Sequence, residues 1–156
     1  MAKLKEVIDP LLILLRDAQA AEKFMEATET PFSRRSYVRA IFAYIEGAIW
    51  VIKRSCVLAT EETKTKSFSV AERALLSDAT YDVKNNGEVT TQTKFLRLPD
   101  NLRFAIRMSN RLFNAGIELR PGEKNWQSLI DALQVRHRIT HSKDLGGFDV
   151  TDASDA

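Results

Sequence analysis

Apolar residues recur three and four positions apart through most of this chain, and the breaks in that rhythm divide it into five helical stretches and one stretch of strand character. From Lys3 to about Thr28, residues Leu4, Val7, Ile8, Leu11, Leu12, Leu15, Ala18 and Met25 mark one face of a first helix. Pro10 lies near its start and either begins the regular helix or kinks it. "ETPFSRRS" interrupts the pattern, with Pro31 in a short connection. A longer helix is expected from about Ser33 to Thr60, striped by Val38, Ile41, Tyr44, Ile45, Ala48, Ile49, Ile52 and Cys56. Phe42, Trp50 and Val51 widen that stripe, which predicts burial on more than one side.

The polar run "EETKTK" reads as a linker. In "SVAERALLSD", Ser69 and Glu72 stand at capping-box spacing and open a short third helix. "YDVKNNGEVTTQTKFLRL" then sets the turn signal Asn86-Gly87 between segments rich in Val, Thr and Tyr, which predicts a two-stranded hairpin around residues 80–96. An isolated hairpin is marginal in water, so this one is expected to lean on the helices. After Pro99, Asp100 or Asn101 can cap a fourth helix running to about Asn114, with Gly116 as its stop and Leu102, Ala105, Ile106, Ser109, Leu112 and Phe113 facing inward. "ELRPGEKN" is a turn, and the last helix runs from about Asn125 to Thr140. The expected fold is mainly α: an up-and-down bundle of four to five helices with a small inserted β-hairpin.

At 156 residues, with 44% hydrophobic and 28% charged residues, the chain has the make-up of one globular domain, assigned to residues 1–143. Its one cysteine, Cys56, has no intramolecular partner and sits on an apolar helical stretch, so a buried thiol is expected. That usage fits a reducing, cytoplasmic setting. "PLLILL" is far too short to span a membrane, and the lysines before it are not followed by a small-residue cleavage site, so neither a membrane segment nor a secretory signal is expected.

Charge changes the picture only when it is divided. The net charge is +2, but residues 144–156, "DLGGFDVTDASDA", carry four aspartates and no basic residue. The remainder holds 23 basic against 17 acidic residues. An acidic, flexible C-terminal tail on a mildly basic body is expected. A body of that charge is able to approach a polyanion without carrying a nucleic-acid signature.

Both histidines of the chain fall in "RHRITH", Arg136 to His141, four residues apart at the end of the last helix. The apolar face set by Trp126, Leu129, Ile130 and Leu133 projects forward onto Arg136, His137 and Thr140, so chargeable groups continue a stripe that elsewhere faces the core. One reading is a helix end emerging from the core. The other is a site, because arginine presents a planar fork of donors to phosphate oxygens and histidine moves protons near neutral pH. Two histidines and a distant cysteine make a poor metal set, and neither a phosphate-binding loop nor a dinucleotide fingerprint is present, so no metal and no cofactor are expected.

"RHRITH" resembles the motif of the HEPN superfamily: an arginine, a polar residue, three further residues and a histidine. The resemblance assigns Arg136 to the arginine, His137 to the polar position and His141 to the histidine. It extends to "AYIEGAIW", where Glu46 stands for the acidic residue these proteins often carry on an earlier helix. It implies an all-helical, metal-independent endoribonuclease, with RNA as substrate and a role as toxin or phage-defence effector. It equally allows a non-catalytic module that binds a partner protein or nucleotide, an antitoxin or immunity partner included. Glu46, in an otherwise apolar helix, is expected to pair with Arg136. Arg136 and His141 diverge by about 140° on a continuous helix. Either the helix ends near Thr140, or a second copy completes the site in a homodimer, which the resemblance favours.

Overall fold

The computed structural model describes residues 2–63, 68–142 and 144–150. It is mainly α, with helices α1 (Ala2–Thr28), α2 (Pro31–Thr63), α3 (Val70–Leu76), α4 (Leu98–Phe113) and α5 (Lys124–Thr140). An antiparallel hairpin of β1 (Ala79–Val83) and β2 (Val89–Thr93) is inserted between α3 and α4, and a 3-10 turn occupies Leu145–Phe148. This is the helical bundle with an inserted hairpin that the residue pattern predicts. Pro10 lies inside α1, so it does not begin that helix. Glu61–Thr63 complete α2, so the linker is shorter than expected, and Lys64–Lys66 lie outside the described residues. One compact unit comprises the residues up to Ile8 with Ala48–Leu119, and a second comprises Asp9–Gly47 with the residues from Arg120 onward.

In the first unit Cys56, Phe68, Leu76 and Met108 are buried together, with Val57, Phe104 and Leu112 packed against them. Burial pushes the Cys56 thiol up to about 11, because a shielded sulfur resists taking on charge. The capping box at α3 forms as expected: Ser69 accepts from the Glu72 N–H, and Glu72 accepts from the Ser69 N–H. Glu72 also takes a two-pronged bond from Arg111 at 2.8 and 2.9 Å, and that guanidinium lies 4.7 Å from the centre of the Phe68 ring. Arg111 first, and the Ser69 N–H second, hold the Glu72 carboxyl down at about 2.

A buried charge organises the rest of this unit. Lys53, 1% exposed, donates to the Asp78 carboxylate and, at 3.2 Å, to Asn101 Oδ1. Asp78 has φ 50°, a left-handed conformation that aspartate tolerates, and its carbonyl accepts from the Lys94 N–H at 2.8 Å. One ammonium thus ties α2 to the root of the hairpin and the first turn of α4. Asn101 is therefore an acceptor for lysine, and neither it nor Asp100 caps α4; Arg97 precedes that helix and Pro99 lies in its first turn. The helix stops at Asn114, φ 51°, two residues before the expected Gly116, because asparagine also accepts the left-handed conformation. Phe113 is 48% exposed, and Met108 takes the buried place.

The hairpin pairs Val83 with Val89 and Ala79 with Thr93. Lys84 N–H donates to Glu88 O, leaving Asn85-Asn86-Gly87 as a three-residue connection with Gly87 at φ 81°. Its root is half-buried, but Tyr81, Val83 and Val89 share an exposed face. The hairpin therefore leans on the helices at its root, as expected, while its far half is exposed. Ile49 is buried, whereas its neighbour Trp50 is half-exposed.

Within the second unit, Glu29, φ 46°, ends α1. Thr30 and Ser33 exchange backbone-to-hydroxyl bonds at 3.0 and 3.1 Å, and Pro31 takes the first helical position, so α2 starts two residues earlier than Ser33. Ala18, Phe42 and Ile139 are buried in this unit. A Cβ on Gly47 would stand 2.6 Å from a Leu14 methyl, so the glycine lets α1 approach α2 beside Glu46.

Two outcomes follow for stability. Asp78→Asn leaves a fully buried ammonium without a counter-charge and should cost about 3 kcal/mol, in the range for a broken buried pair. Lys53→Met leaves a carboxylate that water still reaches and should cost distinctly less; equal losses by urea denaturation would contradict this. The depressed Glu72 carboxyl contributes stability that is complete above its unfolded value of about 4.5 and is lost as pH falls toward 2. Glu72→Gln should flatten the stability profile across that window, and an unchanged slope would count against the Arg111 contact.

Candidate functional site

Ile139, 1% exposed on the last turn of α5, fixes the rotation of that helix. Arg136 stands three residues earlier, about 60° round from it, and so keeps to the packed side. Its guanidinium donates to Glu46 Oε1 at 2.9 Å, with the side chains 28% and 47% exposed. The expected partnership between α2 and α5 is present, but Glu46 lies on an open face, not in the apolar surroundings expected of it. Its pairing with Arg136 therefore relieves no burial cost.

His137 and His141 each lie two residues from Ile139, about 160° away, and both are exposed. The inward stripe of α5 thus continues through Arg136 and Ile139, whereas His137 and Thr140, expected on it, face outward. The helix ends at Thr140. His141 follows as its C-cap with φ −124° and ψ 35°, its N–H donating to His137 O at 3.0 Å, while the Thr140 hydroxyl donates to Arg136 O at 2.7 Å. The two histidines share one side of the helix end, as their spacing requires. Neither imidazole has a hydrogen-bond or ion-pair partner among the described residues. Within one chain, α5 presents Arg136 and the two histidines in different directions.

A second group of cations joins the site that the residue pattern did not single out. Arg35 and Arg39 stand one turn apart near the start of α2, beside Arg34, and Arg138 lies on α5. Arg39 donates to the Ile139 carbonyl at 3.4 Å, one of the unpaired carbonyls at the negative end of α5. Arg35, Arg138 and Arg34 donate to three successive carbonyls, of Phe148 at 3.2 Å, Asp149 at 2.8 Å and Val150 at 3.3 Å. Arg35 also lies 5.8 Å from the centre of the Phe148 ring. The signal for these residues was the run "RRSYVR", three arginines in six positions at the start of the expected second helix.

Chemically, the site offers a guanidinium held by a carboxylate, with further N–H donors for an anion, flanked by two titratable bases and four more cations. Among the described residues, no three of His, Cys, Asp and Glu gather as a cation cage would require.

An ion pair this exposed positions a side chain without adding much stability. A double-mutant cycle of Glu46→Ala and Arg136→Ala should give a coupling below about 1 kcal/mol that shrinks further in high salt. A coupling above about 3 kcal/mol would make the pair a structural element and confound its use in functional tests. No protein-family model matches the chain, and neither does any curated protein or solved structure.

Proposed function

We propose that this protein is a metal-independent endoribonuclease of HEPN type, cytoplasmic, and a toxin or phage-defence effector. The observation that carries the reading is the Arg136–Glu46 bond between α5 and α2, which joins the two segments on which the resemblance rests. The exposed side of the same helix end carries His137 and His141.

In the proposed reaction the 2′-hydroxyl oxygen attacks its neighbouring phosphorus and gives its proton to His141, the general base. Arg136 stabilises the pentavalent phosphate, with Glu46 fixing the guanidinium's direction. The bond from phosphorus to the 5′-oxygen breaks, and His137 assists by protonating that oxygen. The products are a 2′,3′-cyclic phosphate and a 5′-hydroxyl. Because α5 aims Arg136 and the histidines apart, the catalytic set is completed across a homodimer in which two "RHRITH" segments face one groove. No helix among the described residues is long and apolar enough to cross a membrane.

One observation favours a second reading, a non-catalytic module that binds a partner protein or nucleotide, in an antitoxin or immunity role among others. A general base is ordinarily oriented by a second group, and among the described residues neither imidazole has one. Cleavage separates the two readings. Purified protein should cut single-stranded RNA to cyclic-phosphate ends in the presence of EDTA, and His141→Ala should slow this by roughly 10²-fold or more. Equal cleavage by wild type and variant, or loss of activity in EDTA, would remove the nuclease reading. Light scattering at micromolar concentration should give a dimer mass; a monomer that still cleaves would defeat the shared site.

A further inference from the structure

The segment Asp144–Val150 makes a compact return onto the arginines. Asp144 accepts from the Gly147 N–H at 2.9 Å, and Asp149 N–H donates to Gly146 O at 3.2 Å. Gly147 is buried, and a Cβ there would come within 2.1 Å of the Ser142 hydroxyl oxygen and 3.3 Å of the Ser142 Cα, so only glycine permits the fold-back. The three carbonyls that follow, 148 to 150, are then each taken by a different guanidinium.

Those acceptors are neutral. Among the described residues, Arg35, Arg39 and Arg138 have carbonyl partners and no carboxylate partner. Their positive charge is satisfied in hydrogen bonding but not neutralised. Bonds from guanidinium to an ionised oxygen are roughly twice as strong as bonds to a neutral one. A phosphate chain would therefore make better use of each donor, with counterion release added. The cations are also arranged in line. Arg35, Arg39 and then the Glu46–Arg136 pair follow one another along α2 over roughly 16 Å, at 1.5 Å per residue. A linear polyanion fits such a row better than a single phosphate does.

We propose that this row is the track along which single-stranded RNA runs toward Arg136, and that Asp144–Val150 is an intramolecular strap lying on it until RNA displaces it. The inference rests on the ribonuclease reading for the identity of the polyanion. The strap lowers apparent affinity by the fraction of molecules in which the track is open.

The test uses the full chain and a 2′-O-methyl RNA 15-mer, which lacks the attacking hydroxyl, so binding is scored whether or not the protein cleaves. Hydrogen exchange of the Gly147 and Asp149 amides should accelerate when the oligonucleotide saturates the protein. Gly147→Val should bind it roughly tenfold tighter by fluorescence anisotropy, as expected if the track is open about a tenth of the time. Adding Arg35→Ala and Arg138→Ala should abolish that gain. Unchanged or slower exchange at saturation overturns the strap whatever the variant does, so a Gly147→Val protein that fails to fold leaves the test decisive. Equal affinity of a folded Gly147→Val and wild type also overturns it, while cleavage of unmodified RNA scores the nuclease reading separately. Absence of RNA binding by either protein, or equal binding of polyglutamate, rejects RNA as the occupant.

Discussion

Everything in the site follows from the burial of Ile139. A helix end has one rotational setting, and placing that isoleucine inside spends it. Arg136 is carried to the α2 side where Glu46 meets it, and His137, Arg138 and His141 are carried outward. Burying a side chain of that size is worth about 2 kcal/mol, more than the exposed ion pair contributes. The apolar contact therefore fixes the geometry, and the ion pair refines it. Gly47 assists by letting α1 close on α2 one residue beyond Glu46.

The two units use charge in opposite ways. Around Lys53 a cation is buried, countered by Asp78 and spent on joining three elements. Among the described residues, Arg35, Arg39 and Arg138 meet only neutral oxygens and retain their charge. The first arrangement specifies a fold, and the second is the surface proposed to take a polyanion.

Periodicity made the helices legible because their apolar spacing is regular over many turns, and the capping box at Ser69 and the Asn86-Gly87 turn were legible because they are local. The Glu46–Arg136 contact was also reachable through the resemblance, whereas the burial argument for it failed because Glu46 is exposed. What stayed hidden depended on tertiary choice. Projecting the stripe of α5 onto His137 and Thr140 failed because Ile139, not His137, continues it. Lys53 gave no sign of being buried, since its partner lies 25 residues away on a residue with left-handed backbone. The arginines at the start of α2 fell inside the expected helix but off its apolar stripe, and only their carbonyl partners far along the chain mark them out.

Arginine side-chain NMR tests the central claim most directly, that Arg136 and its neighbours form one anion-binding surface. In protein labelled with ¹⁵N-arginine, the Nε–Hε signals of Arg35, Arg39, Arg136 and Arg138 should shift together as 2′-O-methyl RNA is added and saturate with one Kd. Arg111, already committed to Glu72 at 2.8 and 2.9 Å, should stay in place. Shifts confined to other arginines, with Arg136 unmoved at saturation, would contradict the account.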